Sequence, residues 1–146
     1  MKEYILVSAC LLGRNTKYNG KNNLVDNIEA LKSKYNILPI CPEVSGGLPI
    51  PRLPSEVSID RVISSLGDDV TINFYKGANI TLKLALKYHV SFAILKDGSP
   101  SCGSSYIYDG TFTHTKINKM GITAKILASN NIAIYTENDI EKLLKK

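Results

Sequence analysis

A chain of 146 residues, 44% of them hydrophobic, is long enough for one ordinary domain with its own core and leaves little room for a second. Its formal net charge of +5 suggests a nucleic-acid partner, yet only Arg14, Arg52 and Arg61 among the 18 basic residues are arginine. The lysines are scattered, so the surface reads as a solvated one rather than a phosphate-reading stripe, and nucleic acid is not the favoured partner. No run approaches the ~20 apolar residues that span a bilayer, and MKEYILVSAC is too short and strand-like for a signal peptide, so no membrane role and a cytoplasmic location are expected.

Taken in chain order, Tyr4 to Val7 predicts a first strand. A Gly- and Asn-rich loop follows, and then Leu24, Ile28, Leu31 and Tyr35 mark an amphipathic helix. Asn36 to Ile40 is a second strand. The four prolines and two glycines between Cys41 and Pro54 predict a long loop without regular structure, of the kind that usually has a function. Arg61 to Ser64 reads as a short strand. Asp68 and Asp69 precede a helix that runs to about His89, although Gly77 weakens it. Ser91 to Leu95 is a strong strand, Ile122 to Ala128 a short helix, Ile132 to Tyr135 the last strand and Asn138 to Leu144 a terminal helix. Strands alternating with helices predict a single α/β domain over residues 1–146. Its sheet is expected to be mostly parallel and open, flanked by helices in a Rossmann-like manner, with long loops at the carboxyl ends of the strands.

The three cysteines fall on this map in a pattern. Cys10 follows YILVSA, Cys41 follows NILPI, and Cys102 follows VSFAILKDGSPS, so each lies at or just beyond the carboxyl end of a strand. Open α/β sheets bind ligands at that edge, and the three thiols are expected to converge there. A single buried cysteine is ordinarily core filler, but three at one edge, each beside turn-forming residues, point to a metal. Neither histidine is well placed as a fourth ligand: His89 ends a helix at the far end of its strand, and His114 lies in a polar segment that can reach the site only by folding back over the sheet edge. The spacing leaves both zinc and an iron-sulfur centre open.

The phrases CLLG (10–13), KYNG (17–20), CPEVSGGLPIPR (41–52), LKDGSPSCG (95–103) and GITAKIL (121–127) resemble the thiouracil desulfurases, short bacterial iron-sulfur proteins formerly catalogued as a domain of unknown function. The resemblance covers nearly the whole chain. It implies a 4Fe-4S cluster with three cysteine ligands, Cys10, Cys41 and Cys102, and one open iron. The implied activity is removal of sulfur from a thiolated pyrimidine base, with no net redox change. A thiocarbonyl sulfur is a soft donor that suits such an iron, and once the C=S bond is polarised, water can attack the carbon to give uracil and hydrogen sulfide. Lys17 and Asn19 stand where many relatives carry arginine and aspartate.

Glu43, two residues beyond Cys41, is the expected general base, with Asp97 its acidic rival. The family pattern implies that a serine of the 98–103 loop assists, and Ser99 and Ser101 both qualify by their donor and acceptor hydroxyls. Ser8 is expected on the substrate side with Cys10, and Gly46 and Gly47 would let backbone approach a ligand closely. Arg52 and Glu56 are a possible ion pair pinning the loop after Pro51. Two alternatives belong to other classes: desulfuration or thiolation of tRNA, and a non-enzymatic zinc protein or cluster carrier.

Overall fold

Tyr4–Ser8 alternates Ile5 and Val7 toward one face with Leu6 toward the other, all fully buried. Such two-sided burial is the mark of a central parallel strand. In the computed structural model, which describes residues 2–146, this strand (β1) pairs with Asn36–Ile40 (β2) on one side and Phe92–Leu95 (β5) on the other, and β5 pairs with Ala133–Thr136 (β8). All pairings are parallel, and the strand order is β2-β1-β5-β8. Ile28–Lys34 (α1) and Ile140–Leu144 (α5) cover the Ile5/Val7 face, with Leu31 and Leu143 in its core. Thr71–Lys87 (α3) and Ile122–Ser129 (α4) cover the Leu6 face through Ala85, Ala124 and Leu127. The chain is thus a single α/β domain with a four-stranded parallel sheet between helices, as its sequence predicts.

The departures lie outside this frame. The first helix begins at Ile28 rather than Leu24, whose side chain is exposed. The proline-rich stretch holds a short helix, Pro42–Ser45 (α2), since proline is tolerated in a first helical turn. Arg61–Ser64 (β4) does not join the main sheet but pairs antiparallel with Ser55–Ser58 (β3). A further two-residue ribbon, Ile107–Tyr108 (β6) with Lys116–Ile117 (β7), rises from a region with no apolar periodicity to announce it. Cys10 sits in a 3-10 turn, Ala9–Leu12, just after β1. The long helix stops where His89 adopts a left-handed φ of 49°.

Candidate functional site

The order β2-β1-β5 places the topological switch between β1 and β5, where the crevice of an open α/β sheet lies. A cavity of about 620 Å³ occupies it. Cys10, Cys41 and Cys102 all line it, and all three are free thiols. Burial pushes the Cys10 thiol up against a lowering hydrogen bond from Asn23. Burial pushes Cys102 further, to about 12, although the hydroxyls of Ser101 and Ser8 favour its thiolate. Cys41 Sγ donates weakly to the Thr16 carbonyl at 3.8 Å. Among the described residues, no three of His, Cys, Asp and Glu converge closely enough to hold a single metal ion.

The loop bearing Cys102 is fixed from three directions. Asp97 Oδ1 accepts the amides of Gly98, Ser104, Ser105 and Tyr106 at 3.0–3.4 Å. Ser99 Oγ accepts the amides of Ser101 and Cys102 at 3.1 and 3.0 Å. From outside, the first amides of α4 reach in: Ile122 N donates to Pro100 O, and Thr123 N and Ala124 N to Ser101 O. Gly121 permits that approach, because a Cβ there would stand 2.7 Å from the Pro100 and Ser101 carbonyl oxygens. The two serines are therefore distinguished. Ser99 spends its oxygen on the backbone, whereas the Ser101 hydroxyl, 1% exposed, lies 3.4 Å from Cys102 Sγ. Asp97 holds the loop as a hub of hydrogen bonds. Ser8 lines the cavity, with its oxygen taken by the Lys96 amide at 3.0 Å.

Glu43 is carried into the cavity by α2. Its Oε1 accepts from Arg52 Nε at 3.0 Å, both side chains being largely buried. Burial raises its carboxyl pKa and outweighs the lowering charge and hydrogen bond of Arg52. Arg52 thus pairs with Glu43 rather than with Glu56, since its Nη2 is also drawn to the Thr16 carbonyl at 2.9 Å. Gly46 and Gly47 do not line the cavity. The close approach at Gly46 is to α3: a Cβ on Gly46 would strike the Asn73 carbonyl, and one on Gly77 the Pro42 carbonyl. Asn19 also lies off the cavity wall and accepts the Lys21 amide in a local turn, while Lys17 lines the cavity.

Several lining residues carried no sequence signal. Lys96 Nζ pairs with Glu137 Oε2 at 2.8 Å, just beyond β8. Burial lowers the Lys96 pKa, but the Glu137 bond and charge prevail and raise it. Tyr106, Tyr108, Phe112 and His114, on and around the β6–β7 ribbon, form a second wall of the cavity. His114 does fold back over the sheet edge, whereas His89 stays outside the lining.

The family model described as 2-thiouracil desulfurase matches residues 5–139. The uncharacterized protein YbbK of Bacillus subtilis (strain 168) is 36% identical over 150 residues, spanning 96% of this chain and 99% of its own length. A solved structure of the 4Fe-4S-dependent thiouracil desulfidase TudS matches with a TM-score of 0.92 at 42% identity, over 97% of this chain and 95% of its own.

Proposed function

The chain belongs to the 2-thiouracil desulfurase family, and from that premise we propose that it hydrolyses a thiolated pyrimidine base, thiouracil and water giving uracil and hydrogen sulfide, with a 4Fe-4S cluster on Cys10, Cys41 and Cys102. The observation that carries this reading is the convergence of three free cysteines, each from a different strand end, on one cavity at the switch point. The donor set fits the group. Cysteine sulfurs are soft donors of the kind that hold iron-sulfur clusters, and all three are free. A structural zinc is ordinarily closed by four ligands, and neither histidine is shown beside the three cysteines as a fourth, which favours a cluster over a lone structural zinc. Because the chain has three cysteines in all, one iron has no cysteine ligand.

When bound, the cluster supplies a soft Lewis acid matched to a thiocarbonyl sulfur. The remaining work falls to the protein. Arg52 fixes one oxygen of Glu43, leaving Oε2 to take a proton from the attacking water. The Ser101 hydroxyl, beside the Cys102 sulfur, relays to the departing sulfur the protons that water gives up through Glu43, both catalytic groups ending as they began, while Ser99 keeps the loop in register. Lys96, neutralised by Glu137, and Ser8 complete the polar floor on which the base edge rests. The exchange of C=S for C=O moves no electrons overall.

Anaerobic reconstitution tests the proposal. Iron and sulfide are expected at about four of each per chain, the content that defines the cluster, with sulfide release from 2- or 4-thiouracil. Cys102→Ala should lose both cluster and activity, and Glu43→Ala should keep the cluster while losing about 100-fold or more in rate. A colourless protein with stoichiometric zinc, or full activity in Cys102→Ala, would overturn the assignment.

A further inference from the structure

The desulfuration reading leaves the arm from Tyr106 to Ile117 without a role. Along its tip, Phe112 and His114 line the cavity while the alternating Thr111, Thr113 and Thr115 do not. The threonines bond one another instead: Thr111 Oγ1 donates to Asp109 Oδ1 at 2.6 Å, and the Thr111–Thr113 and Thr113–Thr115 hydroxyls are 2.6 and 2.8 Å apart. Phe112 and His114 both have positive φ, 58° and 60°, a region that bulky residues occupy only when held there. The hold comes from Glu56 on β3, whose Oε1 accepts the amides of Gly110 at 3.0 Å and Phe112 at 3.2 Å.

The rings are not equivalent. Tyr106 and Tyr108 meet edge to face at 6.0 Å, as do Tyr108 and His114 at 6.5 Å. Lys116 Nζ lies over the Tyr106 ring at 4.4 Å. Phe112, 37% exposed, pairs with no other ring among the described residues. It is an apolar face left open to the cavity that the three cysteines line, in a backbone conformation that a tether maintains.

We propose that Phe112 is the platform on which the planar ring of the substrate stacks, so that the arm selects thiocarbonyl compounds carrying a flat, aromatic ring. The inference rests on the desulfuration reading and adds ring selectivity to it. Base–aromatic stacking uses the π-face and is indifferent to the hydrogen-bonding edge, so the cysteine wall and the arm divide the recognition between sulfur and ring.

Calorimetric titration of the cluster-loaded protein with uracil and with 5,6-dihydrouracil tests it, since the two share an imide edge but only uracil is planar and aromatic. Phe112→Ala is expected to weaken uracil binding about tenfold, and dihydrouracil binding about twofold at most. Phe112→Tyr should retain wild-type affinity. Phe112→Leu, which restores bulk without a π-face, should stay as weak as Phe112→Ala. Unchanged uracil affinity in Phe112→Ala, recovery in Phe112→Leu, or no uracil binding by the wild type would overturn the platform. Sulfide release by the wild type is read separately: its absence with both thiouracil isomers overturns the activity, whereas its presence beside an indifferent Phe112→Ala overturns the platform alone.

Discussion

The cavity has two walls built by different physics. The cysteine wall grows from the ends of β1, β2 and β5, adjacent strands of one parallel sheet, and its loops are locked by backbone hydrogen bonds and glycine contacts. Its thiols therefore inherit the rigidity of the core. The second wall is a ribbon of two-residue strands whose tip is exposed and is held by threonine hydroxyls and two carboxylates, Asp109 and Glu56. Ligation of a metal centre needs donors fixed to within a fraction of an ångström, whereas a stacking face tolerates adjustment. Under the proposed ligation and stacking, the two walls match those demands.

The sharpest way to break the first wall is to separate α2 from α3. These helices touch backbone to backbone at Gly46 and Gly77, and Asn73 Nδ2 donates to the Gly46 carbonyl at 2.9 Å to seal the contact. Gly77→Ala drives a Cβ into the Pro42 carbonyl, where no side-chain rotation can relieve it. A loss of about 3 kcal/mol or more in urea unfolding is expected. Sulfide release should fall in the surviving folded protein, because Glu43 moves with Pro42. An unchanged unfolding midpoint would mean that this contact does not fix the wall.

A smaller effect is expected at Asp97, which gathers four amides behind Cys102. Asp97→Ala strands those donors in a partly buried loop and should cost about 2 kcal/mol. Burial raises the Asp97 pKa, but hydrogen bonds from Ser105, Gly98 and Ser104 outweigh it and hold the carboxyl below its ordinary value. A depressed folded pKa stabilises above the unfolded pKa of ~3.9, and that contribution is lost as pH falls through the folded value. The stability gap between wild type and Asp97→Asn should therefore be widest near neutrality and narrow as acid protonates the folded carboxylate. Circular dichroism across that range checks it, and a constant gap would remove the charge from the explanation.

The contrast between the walls also explains what the sequence made legible. VSFAIL and YILV are dense apolar runs that can only be buried strands, so the cysteines that follow them could be placed at one edge without coordinates. Glu43 was legible because it rides two residues behind such a cysteine. Its partner was not: Arg52 lies as near to Glu56 in sequence as many true pairs, and the choice of Glu43 depends on how the loop turns. Gly46 and Gly77 read as a ligand approach and a helix defect, and both are explained by one contact between α2 and α3, where Gly46 faces the Asn73 carbonyl and Gly77 the Pro42 carbonyl. GTFTHTK alternates threonines with Phe112, His114 and Lys116 in the period of a strand, yet residues 109–115 pair with no strand. Its conformation is set by the hydroxyls of those threonines bonding along the segment and by the Glu56 carboxylate 54 residues from Gly110, and short-range pattern carries no trace of the second.

That carboxylate offers the mildest test and the one that isolates the second wall. Glu56→Ala removes the acceptor of the Gly110 and Phe112 amides, which can turn to water at the exposed tip, so global stability should change by less than about 1 kcal/mol. The sulfur-handling groups keep their places, and kcat should hold. What the arm loses is its fixed pose at Phe112, so KM for thiouracil should rise several-fold, the pattern of lost uniform binding. Hydrogen exchange at the Gly110 and Phe112 amides should quicken while that at Cys102 stays slow, since the Cys102 amide is bonded to Ser99 within the rigid loop. A fall in kcat with KM unchanged would instead make Glu56, which also lines the cavity, a participant in the chemistry. The arm would then be an extension of the cysteine wall rather than its counterpart.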